Sequence, residues 1–250
     1  MSRATVLEEI RDGVLLLTLN RPQRRNAFND QQYDDVRRAL AEAQEDERVH
    51  AVVITGAGGA FSAGQDLDEM GSGRGFTPFV DQLCVFDKPL IAAVNGVAVG
   101  IGLTLLPHCD IVYVGESGRL RAPFTALGLV CEAGSSLLLP SVVGAQRAAE
   151  LLFTAHWIDA AQAVALGLAA RLFPDQELLP AALATAREIA AQPPVAVRQT
   201  KRLLLATRLE ALQAARARED AVQARRLGSP ENLAAIRAFQ QKRKPGPPRR

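Results

Sequence analysis

The chain has 250 residues with 29 basic and 27 acidic side chains, which give a formal net charge of +2. So balanced a charge offers no strong field for nucleic acid or an anionic membrane, and neither is expected as a partner. Three cysteines without zinc-ligand spacing predict neither a disulfide framework nor a metal site. Because the chain shows no basic-then-apolar leader and no apolar run of transmembrane length, a reducing cytoplasm is the expected location.

The first two thirds of the chain alternates between predicted strands and predicted helices. A hairpin is predicted around Asp12-Gly13, and a helix capped by Asn29 or Asp30 is predicted to run to about Asp46. The strands predicted in this part are Thr5–Ile10, Val14–Asn20, Val52–Thr55, Leu90–Val94, Ile111–Val114 and Ala169–Leu172. The further helices are Val80–Phe86, Gly102–Pro107, Ser135–Val143, Ala145–Leu152 and a segment from Asp159 through Leu166.

Only helices are predicted after Asp175. Their predicted ranges are Glu177–Ala191, Val195–Leu205, Arg208–Leu227 and Pro230–Lys242. Strand–helix alternation followed by helices predicts an α/β core, placed at residues 1–190, and a helical region at 191–250. Periodicity alone leaves open whether the core is a doubly wound sheet or a spiral of repeated units.

A glycine-rich junction follows the predicted strand Val52–Thr55. The strand leads into a small-residue turn at Phe61–Gln65, and the acidic Asp66 follows where a helix could begin. Backbone N–H groups at such a junction can hold an anion, or an oxygen that becomes one. A plain turn is the simplest alternative. A dinucleotide-binding loop is disfavoured because Phe61 stands where its third glycine is needed.

A second junction repeats this pattern in the segment Leu90–Leu105. An apolar strand is followed by the turn Asn95-Gly96, and then Gly100 and Gly102 open an apolar helix. Two such junctions in succession can bring two N–H donors to one carbonyl oxygen.

The two junctions together resemble those of the crotonase superfamily, the enoyl-CoA hydratase/isomerase family. The resemblance extends in family order over nearly the whole chain, through Leu19–Pro22, Asn26–Phe28, Cys109-Asp110, Ala126–Leu129, Ala165–Leu168 and Phe239–Lys244. It implies a spiral of ββα units with a helical C-terminal region that serves trimerisation and covers a neighbouring chain. It further implies an acyl-CoA thioester substrate, a homotrimer or hexamer, and no metal or cofactor besides the coenzyme A of the substrate.

By position in the family motifs, the backbone N–H groups of Gln65 and Ile101 would form an oxyanion hole for the thioester carbonyl. Such donors must lie ~3 Å from the developing charge in a site without water. Many relatives carry glycine where this chain has Ile101, and we expect the isoleucine side chain to narrow the acyl pocket.

Proton transfer in the hydratases of this family uses two glutamates, and this chain has Thr104 and Phe124 at those positions. Neither side chain is a base near neutral pH, so hydration by two carboxylates is not expected. Glu132 matches the single glutamate of the peroxisomal-type Δ3,Δ2-enoyl-CoA isomerases. Its apolar surroundings, which include Cys131, are expected to raise its pKa. Thr104, Phe124 and Cys131 are expected to line the acyl pocket.

The resemblance also implies which residues contact coenzyme A. They are Arg24, Arg25, Ala27, Ala63, Asp66, Leu67 and Lys242. For the basic members the alternative is an ordinary solvated charge, and for Asp66 it is a helix cap. The isolated histidines are interpreted as structural; they are His50, His108 and His156.

These residues predict an enoyl-CoA isomerase that uses Glu132. Another reaction of the superfamily, such as hydration, dehalogenation, ring chemistry or thioester hydrolysis, is the nearest alternative. A non-catalytic acyl-CoA binder or an RNA-binding relative is the alternative of another class. Glu132 disfavours an inactive site, and the near-zero net charge disfavours RNA.

Overall fold

A computed structural model of the chain describes residues 4–67 and 74–243, apart from the side chains of residues 240, 242 and 243. The strands are β1 (Val6–Arg11), β2 (Val14–Leu19), β3 (Ala51–Gly56), β4 (Ala60–Ser62), β5 (Leu90–Val94), β6 (Val97–Val99), β7 (Ile111–Gly115), β8 (Arg119–Arg121), β9 (Ile158–Asp159) and β10 (Arg171–Phe173). The helices are α1 (Asp30–Glu45), α2 (Phe76–Val85), α3 (Ile101–Thr104), α4 (Ser135–Val143), α5 (Ala145–Thr154), α6 (Ala160–Ala165), α7 (Asp175–Ala190), α8 (Pro194–Ala206), α9 (Leu209–Arg226) and α10 (Pro230–Arg243).

The strands form two sheets, and the chain passes repeatedly from one sheet to the other. One sheet has the order β1-β2-β3-β5-β7-β10, and the other has the order β4-β6-β8-β9. Three pairs of consecutive strands, β3 with β4, β5 with β6 and β7 with β8, each contribute one strand to each sheet before a helix follows. This repetition is the spiral of ββα units that the resemblance implies, and a doubly wound single sheet is excluded.

The strands of the second sheet are absent from the sequence prediction. The residues predicted as a tight turn at Phe61–Gln65 in fact begin inside β4, which is followed by the turn. The strands β4, β6 and β8 have three residues each, and β9 has two. Periodicity cannot identify such short segments, which pair because the larger sheet places them side by side. The predicted helix after Asp66 falls largely on residues 68–73, outside the described residues.

Helix α1 forms as the sequence predicts and places Tyr33 in the core. The Asn29 side chain accepts a hydrogen bond from the Gln32 N–H at 3.0 Å, which caps the helix as predicted. Apolar side chains at helical spacing then form its buried face, and Tyr33 is the first of them, 1% exposed. The Tyr33 ring stacks on Phe28 with a centroid distance of 4.8 Å.

Two of the C-terminal helices, α8 and α9, make contacts with the chain's own core, and their covering of a neighbouring chain stays a prediction. Helix α9 lies against α4, and its Leu212 is 1% exposed within the main apolar cluster. Helix α8 is joined to the core through Lys201, whose Nζ donates to Asp110 Oδ2 at 2.8 Å. Helix α9 therefore contributes to the core of one chain, and α8 is attached to that core through the buried ammonium group of Lys201.

Shortening Leu212 tests this intramolecular packing. Leu212→Ala should lower the free energy of unfolding by about 2–5 kcal/mol, because the cavity left between α9 and α4 cannot fully collapse. Leu227→Ala makes the same chemical change where the side chain is 41% exposed, and it should cost far less. Urea unfolding of both variants measures the difference. Equal losses at the two positions would contradict the packing of α9 on its own chain.

Candidate active site

The two glycine-rich junctions lie side by side because the strands that precede them are paired. Strands β4 and β6 are parallel neighbours, with Ala60 opposite Val97 and Ser62 opposite Ala98. Parallel strands direct their carboxyl ends to the same edge of a sheet. The chain therefore leaves β4 toward Gln65 and leaves β6 toward Ile101 at one edge.

Glycine permits the close approach of these two segments. Gly64 has φ +92°, and a Cβ at this position would lie 2.8 Å from the carbonyl oxygen of Val99. Gly100 has φ +55° and ψ −122° at the start of α3, a conformation that residues with a side chain rarely adopt. Both glycines are thus required by backbone geometry at the place where the two junctions meet.

The backbone N–H groups of Gln65 and Ile101 make no hydrogen bond to a protein acceptor within the described part of the chain. Phe28 pairs with Gln65 in a parallel bridge through its bonds to Gly64 and Asp66, which leaves the Gln65 N–H without a partner there. Ile101 is the first residue of α3, and the first N–H groups of a helix have no intrahelical acceptor. The Ile101 side chain belongs to the main core and is 1% exposed.

Side chains from two other segments fix the Gln65 junction. The Tyr33 hydroxyl donates to Gln65 Oε1 at 2.8 Å, and Arg21 Nη2 donates to Asp66 Oδ2 at 2.9 Å. The Arg21–Asp66 pair is nearly enclosed, so Asp66 serves as an internal ion-pair partner. The junction is therefore held rigidly from both sides.

Glu132 lies in a loop with unusual backbone geometry before α4. The two residues that follow it, Ala133 and Gly134, have φ +59° and +75°. The Glu132 carbonyl oxygen accepts from the Ser135 N–H at 3.0 Å and from Ser135 Oγ at 2.5 Å. The Ala133 carbonyl oxygen accepts from His108 Nε2 at 2.7 Å. Left-handed backbone geometry is unfavourable at a non-glycine residue such as Ala133. The hydrogen bonds of the loop therefore hold it in this conformation.

The electrostatic environment of Glu132 is that of a buried acid. Burial, followed by the charges of Glu219 and Asp220, raises its pKa from 4.5 to about 8. The residue is half-buried, so part of it stays accessible to a ligand. The pKa of Tyr33 is raised mainly by burial and next by the charge of Glu132. The charge of Glu132 therefore acts on the hydroxyl that binds Gln65.

The predicted acyl-pocket residues add no second base. Thr104 is fully buried, and its hydroxyl donates to the Gly100 carbonyl oxygen at 3.3 Å within α3. Phe124 belongs to the main apolar cluster. Cys131 is half-buried, and burial raises the pKa of its thiol to about 11, so the thiol is protonated near neutral pH.

Most residues expected to contact coenzyme A lie together beside the Gln65 junction. The Ala63 N–H donates to the Arg25 carbonyl oxygen at 2.9 Å, which joins the loop of Arg24, Arg25 and Ala27 to the segment of Ala63–Leu67. Arg25 also lines a cavity of about 290 Å³. The side chain of Lys242, in α10, lies outside the described residues, so its contact with coenzyme A stays a prediction.

A family model described as enoyl-CoA hydratase/isomerase matches residues 9–246 of this sequence. The chain belongs to the enoyl-CoA hydratase/isomerase family. A solved enoyl-CoA hydratase/isomerase from Pseudoalteromonas atlantica T6c is 38% identical and superposes with a TM-score of 0.93, over 97% of this chain and 99% of that one. This match confirms the crotonase fold.

Curated relatives in the enoyl-CoA hydratase/isomerase family carry two different activity names. The 2,3-dehydroadipyl-CoA hydratase of Escherichia coli (strain K12) is 37% identical over 93% of this chain and 94% of that protein. Enoyl-CoA delta isomerase 2 of Rattus norvegicus is 35% identical over 91% of this chain, which spans 61% of that protein's length. Membership in the family identifies an acyl-CoA enzyme but leaves its reaction open.

Two residues near the candidate site of this family member are missed by the sequence analysis, Tyr33 on helix α1 and Glu219 on helix α9. His108, interpreted as structural, is buried and hydrogen-bonded to the Ala133 carbonyl oxygen. The signal for Glu219 is its place in the buried stripe of α9, three residues after Arg216 and four after Ala215. A carboxylate on a buried helical face requires a partner, and here it contacts the Glu132 loop.

The described segments contain no group of three or more His, Cys, Asp or Glu side chains arranged to hold a metal ion. None of the helices in those segments is at once long and apolar enough to cross a bilayer.

Proposed function

We propose that this chain shifts the double bond of a 3-enoyl-CoA to give a trans-2-enoyl-CoA. The observation that carries the proposal is a single titratable carboxyl group with a raised pKa, Glu132, while Thr104 and Phe124 stand at the two positions where the hydratases of the family have glutamates. The reaction needs one group that removes a proton and returns it elsewhere. A base with a pKa near the working pH does this best.

In the proposed mechanism the Glu132 carboxylate removes a proton from C2 of the substrate. The electrons of the C2–H bond form a double bond between C1 and C2, and the negative charge moves onto the thioester oxygen. The N–H groups of Gln65 and Ile101 stabilise that oxygen. The protonated Glu132 then returns its proton at C4, the carbon–carbon double bond moves from C3–C4 to C2–C3, and the carboxylate is restored.

We also propose how the rest of the substrate and the assembly are arranged. Arg24, Arg25 and Lys242 would bind the phosphates of coenzyme A, and the backbone of Ala27, Ala63, Asp66 and Leu67 would line its path. A trimer or hexamer would cover the apolar face of α8, where Val195 and Leu203 are 71% and 72% exposed in the single chain.

Turnover of two substrates by the purified protein tests the proposed reaction. We expect trans-3-hexenoyl-CoA to be converted to trans-2-hexenoyl-CoA, and crotonyl-CoA to be hydrated slowly or not at all. Fast hydration of crotonyl-CoA with no isomerisation would replace the proposal with the hydratase activity of the curated relative. Binding of both compounds without turnover would instead support a non-catalytic acyl-CoA binder.

The raised pKa of Glu132 predicts the pH dependence of isomerisation. Because the carboxylate form is the base, kcat/KM should rise with pH and level off above a pKa of about 8. At lower pH the group is protonated and cannot accept the C2 proton. Initial rates from about pH 6 to about pH 9.5 measure this profile. A plateau that already begins near the ordinary carboxyl pKa of 4.5 would contradict the buried environment.

A further inference from the structure

Helix α9 reaches the loop that carries Glu132 through one buried side chain. Glu219 Oε2 accepts from the Gly134 N–H at 2.7 Å, and Oε1 accepts from the Ser136 N–H at 2.7 Å. Glu219 is 6% exposed, so these bonds are shielded from water. Both N–H groups lie at the start of α4, where a helix leaves donors unsatisfied and favours negative charge.

A second side chain of α9 holds the same loop at its other end. Gln223 lies one helical turn after Glu219, and its Oε1 accepts from the Val130 N–H at 3.1 Å. Glu132 therefore lies between two points at which one rigid helix is attached to the loop.

The charge of Glu219 also acts on Glu132. After burial, Glu219 is the largest cause of the raised pKa of Glu132, and the exposed Asp220 is the next. Three other titratable groups near this loop are uncharged at neutral pH. They are Tyr33, whose pKa is raised, Cys131, with a pKa of about 11, and His108, whose pKa burial lowers to about 4. The charged Arg216 of α9 also lies beside Gly134, and its Nη1 pairs with Asp81 Oδ1 at 2.6 Å.

We propose that Glu219 is a positioning residue that sets both the orientation and the basicity of Glu132. The inference rests on the proposed function, because it concerns the group that would transfer the proton. Glu219 acts through the loop and through its charge, since each of its oxygens is bound to a backbone N–H. It is therefore not the second catalytic carboxylate that a hydratase would need.

Replacing Glu219 by glutamine tests both effects. The amide has one oxygen and one NH₂ group, so it can accept from only one of the two N–H groups and carries no charge. In Glu219→Gln the rising limb of kcat/KM should move to lower pH by about one unit, because an adjacent like charge is removed. The plateau kcat should fall by about 10- to 100-fold, because the loop is attached less firmly.

Two control variants separate charge from attachment. Asp220→Asn removes the neighbouring exposed charge. Asp220 makes no hydrogen bond to the Glu132 loop within the described segments. This variant should therefore move the pH profile slightly in the same direction and leave kcat unchanged. Glu210→Gln removes an exposed charge near the start of α9 and should change neither quantity.

Titration of the Glu132 carboxyl group, followed by ¹³C NMR, tests the inference independently of enzymatic activity. A lower carboxyl pKa in Glu219→Gln than in the wild type would support it. A folded variant with an unchanged pKa and an unchanged plateau kcat would overturn it. If the wild type isomerises no 3-enoyl-CoA, the proposed function fails, and the NMR titration still decides whether Glu219 tunes Glu132.

Discussion

Replacing Glu132 by glutamine is expected to slow the isomerisation of a 3-enoyl-CoA, with kcat reduced by about 10²- to 10⁴-fold, the usual contribution of a positioned acid–base group. Glutamine keeps the size of the side chain and cannot accept the C2 proton. The KM should change little, because the N–H groups of Gln65 and Ile101 belong to the backbone and remain in place. Steady-state kinetics with trans-3-hexenoyl-CoA measure both constants.

Stability supplies an independent control for this variant. The folded pKa of Glu132, about 8, lies above its ordinary value of 4.5, so ionisation favours the unfolded chain. In the wild type this group's contribution to stability is complete below about pH 4.5 and declines until about pH 8. Glu132→Gln should therefore unfold at a higher temperature than the wild type near pH 9. A variant that is less stable at that pH, or that retains full activity, would contradict the role of Glu132.

Replacing Gly64 by alanine is expected to lower kcat by about 10²- to 10³-fold, the range seen when one oxyanion donor is lost. Gly64 has φ +92°, and the added Cβ would lie 2.8 Å from the Val99 carbonyl oxygen. The chain must shift to relieve this contact, and the Gln65 N–H that follows Gly64 shifts with it. Kinetics with the 3-enoyl substrate and a thermal unfolding curve for the same preparation separate lost catalysis from lost structure.

Gly144→Ala is the matched control for backbone strain. Gly144 has φ +84°, and a Cβ there would meet no atom within 4 Å. It lies between α4 and α5 with ψ 154°, a region that residues other than glycine rarely adopt, so alanine should cost about 1–3 kcal/mol of stability without changing kcat. If both variants lose the same activity, the loss at Gly64 would reflect general destabilisation, and the proposed donor at Gln65 would lose its support.

The sequence predicts the larger elements of this fold because their patterns repeat over enough residues. Helix α1 has a side-chain cap and a regular apolar face, and the predicted bounds of the four C-terminal helices agree with the structure to within two residues. The strands of the second sheet could not be predicted in this way. Strands such as β4 and β6 are too short to show alternation, and they form only because neighbouring units align them.

The candidate site, too, can be predicted from the sequence only in part. Motif order predicts Gln65, Ile101 and Glu132 as site residues, and the parallel pairing of β4 with β6 leads the chain to the first two at one edge of the sheet. The residues that hold them come from distant parts of the chain. Glu219 lies 83 and 85 positions from its two hydrogen-bond partners, so no local pattern links it to the loop. A buried carboxylate on a helix indicates that a partner exists without identifying it.

The fate of the C2 hydrogen tests the central claim, that one carboxyl group carries the proton from C2 to C4. We would incubate 3-hexenoyl-CoA deuterated at C2 with the enzyme in excess, stop the reaction within the first turnover, and locate the label by NMR. The account predicts product with deuterium at C4, since Glu132 would return what it removed. Product that contains only solvent hydrogen at C4 at every time would contradict a single carboxyl group and would require a separate proton donor.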